Sequence, residues 1–167
     1  MSTSTTDLMQ ETPETAEAAL SGFLETLVPP NTINLSDIFG NEYVVQSAVS
    51  AKKQIQILRQ LDALKAVSLD MDFAADDLNV PNLVNYLIEL AINEKVFNVL
   101  QDCFYIAHNQ VVRSAVEYSR DNGGSAFAVE PNTVGELFSI EEIVAGVVPL
   151  FARLARRTGS LLTVLGQ

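Results

Sequence analysis

Residues 138–157 constrain the fold of this chain more than any other stretch, because both ends of a helix are written into them. Ser139 is placed to cap, and Glu142, three residues on, is placed to reach back to the Ser139 N–H in a capping box. Phe138 before the cap and Ile143 four residues after the cap have the spacing of a hydrophobic staple. Glu141 and Glu142 face the positive end of the helix dipole, and Arg153, Arg156 and Arg157 face the negative end. Ile140, Ile143, Val144, Val147, Phe151, Leu154 and Ala155 recur at helical spacing as a wide apolar stripe. Pro149 has no N–H for the carbonyl of Ala145, which predicts a kink. Val148 and Leu150 fall partly off the stripe, so the helix is expected to touch a neighbour on a second side.

Such a helix needs a body to pack on. With 167 residues, 48% of them hydrophobic, the chain can bury a core as one domain. The expected division is a polar, disordered tail over residues 1–11 and a single mainly helical domain over residues 12–167. The net charge of −11 argues against a nucleic-acid or anionic-membrane partner, since both need a basic face. That charge is uneven: residues 1–51 hold seven acids and no base, whereas the last fifteen residues hold three arginines and no acid. Cys103 is alone and has no internal disulfide partner, which points to a reducing, cytoplasmic compartment. The Ser/Thr-rich start is not a signal peptide, and no apolar run has the length of a membrane span.

Taken in order, Thr12-Pro13 opens a helix whose face is Ala16, Ala19, Leu20, Phe23, Leu24 and Leu27, closed by Val28-Pro29-Pro30. This helix is either part of the core or an amphipathic arm for a partner. Residues 33–46 alternate around Phe39-Gly40-Asn41 and predict a β-hairpin turning near Gly40, although Asp37 and Asn41 also suit a loop. Ser50 caps a helix expected from Ala51 to about Ala66. Its face is Ala51, Ile55, Leu58, Leu61 and Leu64; Lys52, Lys53, Arg59 and Lys65 dress the rest, as a solvated surface or as a basic strip that receives an acidic helix. Pro81 opens the next helix, which either breaks and restarts at Asn93 or runs through. From Val96 the apolar positions fall on several sides, through Phe104 and on towards Val116, as expected of a central helix. Asp121-Asn122-Gly123-Gly124-Ser125 stops it. The predicted fold is mainly α, a small bundle of about five or six helices with a short N-terminal β-hairpin. Beyond Arg157, Leu161, Leu162, Val164 and Leu165 form an apolar tip, either a last turn on the bundle or a sticky end for a partner.

Chemistry-bearing residues do not assemble into a site. Asp70, Asp72, Asp76 and Asp77 suggest a calcium loop, but its sixth and twelfth positions hold Ala75 and Pro81 where glycine and glutamate are required. His108 is the single histidine, and Cys103 lies five residues before it, about 140° away around a helix. Cys103 is expected to be a small buried hydrophobe and His108 to sit at a helix edge. The glycine-rich stretch after Asp121 lacks the spacing and the lysine of a phosphate cradle. Glu141 and Glu142 point apart, and capping accounts for them. No catalytic, cofactor-binding or metal-ligating set emerges, so a non-enzyme is expected.

Three stretches in sequence carry a resemblance. Phe39-Gly40-Asn41-Glu42-Tyr43-Val44-Val45-Gln46 runs into the basic amphipathic segment from Ala51 to Leu61; an apolar helical pair occupies residues 83–106; and Gly135-Glu136-Leu137-Phe138-Ser139-Ile140-Glu141-Glu142-Ile143-Val144 runs on to Arg157. Over residues 33–157 this order resembles the tail assembly chaperones of tailed bacteriophages, which are small, acidic and mainly helical. The resemblance implies a protein of the host cytoplasm that binds the long, helical, aggregation-prone tape measure protein before the tail tube polymerises around it. It implies no catalytic residues and no cofactor, departure during assembly, and in many members a longer frameshifted form. Homo-oligomerisation stays open. Apolar helix faces can supply the groove for such a partner. The candidate partner-binding surface is Val147, Val148, Leu150, Phe151, Leu154, Leu161 and Leu162, with Leu20, Phe23, Leu24 and Leu27 second. The rival readings are a virion structural component or helical protein-protein adaptor, and a small enzyme.

Overall fold

The computed structural model describes residues 31–63, 85 and 87–158. The helix expected around residues 12–28, the start of the one expected from Pro81, the acidic stretch over residues 68–80 and the tip after Gly159 lie outside these; residues 87–90 are helical, with Leu87 buried and Leu90 and Ala91 half-buried. The chain is mainly helical with a two-stranded antiparallel hairpin near its N-terminus, as its periodicities predict.

Strand β1 (Thr32–Ser36) pairs with β2 (Glu42–Gln46), Asn34 opposite Val44. The turn needs a residue in the left-handed region, and Gly40 supplies it at φ 88°. The expected loop-building residues and the hairpin prove to be one structure. The Asp37 carboxylate accepts from the backbone N–H of Phe39 (2.9 Å) and Asn41 (3.0 Å), from the Asn41 amide (3.0 Å) and from the Tyr43 hydroxyl (2.8 Å). Alternation turns Ile33 and Leu35 into the core and leaves Thr32, Asn34, Glu42, Val44 and Gln46 exposed.

Helix α1 (Ala51–Asp62) starts at Ser50, whose hydroxyl accepts from the Lys53 N–H. Its buried face differs from the expected one. Ile57 and Leu61 are buried and Leu58 is half-buried, whereas Ile55 is 51% exposed and Ala51 is exposed. Lys53, Ile57 and Leu61 follow one another by a helical turn, and this line is turned towards α2 (Glu94–Asp121), where the Lys53 ammonium makes a long 3.5 Å bond to the Ala107 carbonyl. A restart occurs before α2: the Asn93 side chain caps it by accepting from Lys95 N–H. Asp121 ends it, Asn122 follows, and Gly123 turns away at φ 78°.

Helix α2 is central as expected, packed against α1, the 3-10 turn Pro131–Thr133, α3 (Val134–Leu137) and α4 (Ile140–Thr158). Buried Gln101 fixes the short α3 by accepting from the Gly135 N–H at 2.8 Å. Helix α4 carries Pro149 within its length and contacts both α2 and β1. That double contact is why Val148 and Leu150, off the main stripe, are also buried. The start of α4 departs from the capping box. Ser139 Oγ does accept from the Glu142 N–H (3.4 Å), but the Glu142 carboxylate turns to the Ser36 N–H of β1 at 3.1 Å. A strand end with an unpaired donor outcompetes the local return bond, because a buried or half-buried N–H left alone is costly.

Candidate functional site

Five of the residues expected to form a partner surface, Val147, Val148, Leu150, Phe151 and Leu154, are core residues instead. Their stripe is covered because α4 lies between α2 and β1. Val147 and Leu150 have essentially no exposed area, so in this conformation they offer a partner nothing. Leu161 and Leu162, like Leu20, Phe23, Leu24 and Leu27, lie outside the described residues. Arg153 does not simply face the helix end: its guanidinium donates to Ser47 Oγ (2.8 Å) and Asn31 Oδ1 (3.4 Å), tying α4 to the open end of the hairpin.

Large apolar side chains reach water elsewhere, at the tip of the hairpin. Ile38 is 59% exposed, and Phe39 and Tyr118 are each 38% exposed. The Phe39 and Tyr118 rings meet at 5.2 Å between centroids with a 42° tilt, which joins the hairpin tip to the C-terminal half of α2. The tip is held rigidly from below by the Asp37 network and by the Ile38 N–H, which donates to the Leu137 carbonyl at 2.9 Å. Pattern reading passed over this patch because a turn has no periodicity to mark its exposed side.

The second notable place is His108. It is 4% exposed and sits inside α2 with non-helical backbone angles (φ −127°, ψ 37°). Its expected place at a helix edge is therefore corrected. Phe104, His108 and Val112 follow each other at four-residue spacing along the buried stripe, a signal present in the sequence. The Nε2–H of His108 donates to the Gly146 carbonyl of α4 at 2.9 Å, and its ring meets Phe104 edge-on at 5.2 Å. Burial lowers the imidazole pKa below its ordinary value; the Lys53 charge acts in the same direction and the Gly146 carbonyl opposes. A cavity of about 290 Å³ opens beside it, between the end of β2, the start of α1 and residues 107–111.

The sign of the pH effect follows. A histidine whose folded pKa is lowered binds its proton more readily in the unfolded chain, so stability falls as pH drops through the unfolded value near 6.5. The loss stops growing below the folded pKa. Thermal unfolding between about pH 7.5 and pH 5.5 is expected to show a fall in Tm for the wild type and a shallower one for His108→Gln. Equal slopes would remove His108 as the source.

Cys103 is fully buried with its thiol pushed far up, first by burial and then by Asp102, so it behaves as the expected inert hydrophobe. Among the described residues no group of His, Cys, Asp and Glu could hold a metal ion, and no helix is long and apolar enough to cross a membrane. No protein-family model, curated protein or solved structure matches the chain.

Proposed function

We propose that this chain is a tail assembly chaperone of a tailed bacteriophage, a non-catalytic protein of the host cytoplasm. In this reading it binds the tape measure protein and keeps it soluble before the tail tube polymerises. The order of segments over residues 33–157 resembles that of the family. The structural observation that supports the role is the exposed patch of Ile38, Phe39 and Tyr118 on an otherwise acidic protein. An aromatic pair on a rigid turn suits the apolar face of a long helix, because aromatic side chains contribute large contact area with little rotamer entropy to lose. The receiving surface therefore moves from α4 to the hairpin tip.

The test is co-expression with the tape measure protein, which this reading predicts to be a very long helical protein encoded by a neighbouring gene, followed by affinity capture. The expected result is a soluble complex that is lost with Phe39→Ser/Tyr118→Ser while the variant stays folded, and finished particles that lack the chain. Recovery of the chain as a fixed component of purified particles would make it a virion structural part and overturn the chaperone reading.

A further inference from the structure

The two edges of the hairpin are not alike. The Ser47 N–H bonds to the Asn31 carbonyl and the Asp37 N–H to the Asn41 carbonyl. Given the pairing register, the odd-numbered residues of the ladder exchange hydrogen bonds across the hairpin, and the even-numbered ones point their N–H and C=O groups outward. On β1 one outward group is engaged: the Ser36 N–H is held by the Glu142 carboxylate of α4. On β2 the outward groups belong to Glu42, Val44 and Gln46. All three residues are exposed, Val44 at 71%, and no hydrogen bond engages their backbone among the described residues. A two-stranded hairpin with an open edge is a marginal sheet and a template for another strand.

We propose that the outer edge of β2 pairs with β2 of a second copy of this chain, antiparallel across a two-fold axis at Val44, to make a four-stranded sheet. The edge is self-complementary in this register. Val44 faces Val44, a β-branched pair favoured in sheets, and Glu42 faces Gln46 at both ends. Each facing pair exchanges two N–H···O bonds. Gln46 lines a cavity that also holds Lys53 and no carboxylate, so each Glu42 meets an end of the other copy's strand that carries no repelling charge. A parallel arrangement would instead set Glu42 beside Glu42. On the inner face the half-buried Tyr43 meets the half-buried Val45 of the other copy, extending the apolar layer over Ile33 and Leu35. An isologous contact of this kind closes on itself as a dimer. This inference does not depend on the chaperone reading.

The test is sedimentation equilibrium of the full chain across a concentration series, for the wild type, Val44→Pro and Val44→Lys. The Val44 N–H points outward, so proline there removes an intermolecular donor and no bond within the hairpin. Lysine sets two like charges across the axis and keeps the backbone intact, so it serves if the proline variant fails to fold. The wild type is expected to dimerise, and the variants to dimerise at least about tenfold more weakly with unchanged far-UV circular dichroism. Val44→Cys is expected to form an intermolecular disulfide on oxidation, since facing hydrogen-bonded residues lie about 5.5 Å apart at Cα, within disulfide reach. Asn34→Cys, on the opposite edge of the hairpin, is expected to form none. A wild type that stays monomeric, a folded Val44→Lys that dimerises unchanged, or cross-linking through residue 34 instead would each overturn the proposal.

Discussion

Phe104→Ala is expected to lower the unfolding free energy by about 4 kcal/mol. Phe104 has no exposed area and stands where α2 meets α4 and the start of the α4 cap. Its ring packs on Phe138 at 5.0 Å and on His108 at 5.2 Å. On the third side the space is filled by Gly146, where a Cβ would lie 2.6 Å from Phe104 Cε2 and 2.8 Å from Cδ2. This makes a second, signed expectation for the same contact. In an open helix, Gly→Ala gains about 1 kcal/mol. Here Gly146→Ala forces a ring that is hemmed in to move, and overpacking of about 1–3 kcal/mol outweighs the propensity gain. In the Phe104→Ala background the same substitution should become neutral or stabilising. Denaturant unfolding of the two single variants and the double variant closes the cycle. Additive effects would show that the glycine is not there to admit the ring.

Asp37→Ala is expected to cost about 3 kcal/mol, because charge-assisted hydrogen bonds are the strong ones and two backbone N–H groups lose their acceptor. Asp37 is 6% exposed and holds the whole hairpin turn, including the Asn41 side chain and Tyr43. Asp37→Asn should cost less, since an amide oxygen can still receive the Phe39 and Asn41 N–H groups. A second readout separates this network from general loosening. Tyr43 has its phenol pushed well above the usual tyrosine value, first by burial and then by the Asp37 hydrogen bond and charge. Removing the carboxylate should let that phenol ionise at lower pH in a spectrophotometric titration. An unmoved Tyr43 titration in a folded Asp37→Ala variant would contradict the network. If the exposed patch of Ile38, Phe39 and Tyr118 is the partner surface, Asp37→Ala should weaken partner binding as well, because this residue sets the tip that presents Phe39.

Several features of this protein were legible in the sequence because they depend on residues within about four positions of one another. The hairpin turning at Gly40, the caps at Ser50, Ser139 and Asn93, the stop after Asp121 and the apolar stripe of α4 are all of this kind. The second contact of α4 was legible too, since Val148 and Leu150 had to be covered by something. What covers them was not. Glu142 had a complete local role as a capping-box partner, yet it serves Ser36, 106 residues away. His108 could be placed on the stripe by spacing, but its bond to Gly146, 38 residues on, and the backbone break that accompanies it are decided only when α2 meets α4. The same holds for α1, where the periodicity admits a face through Ile55 and the packing against α2 selects the one through Ile57. Val147, Phe151 and Leu154 show the limit most clearly. A periodic apolar stripe says that a helix face will leave water; it does not say whether the cover is the chain's own body or a partner. Local rules choose the elements, because short-range sterics and hydrogen bonds are set by near neighbours. The cover and the free edge are chosen by long-range packing, which no window of sequence contains.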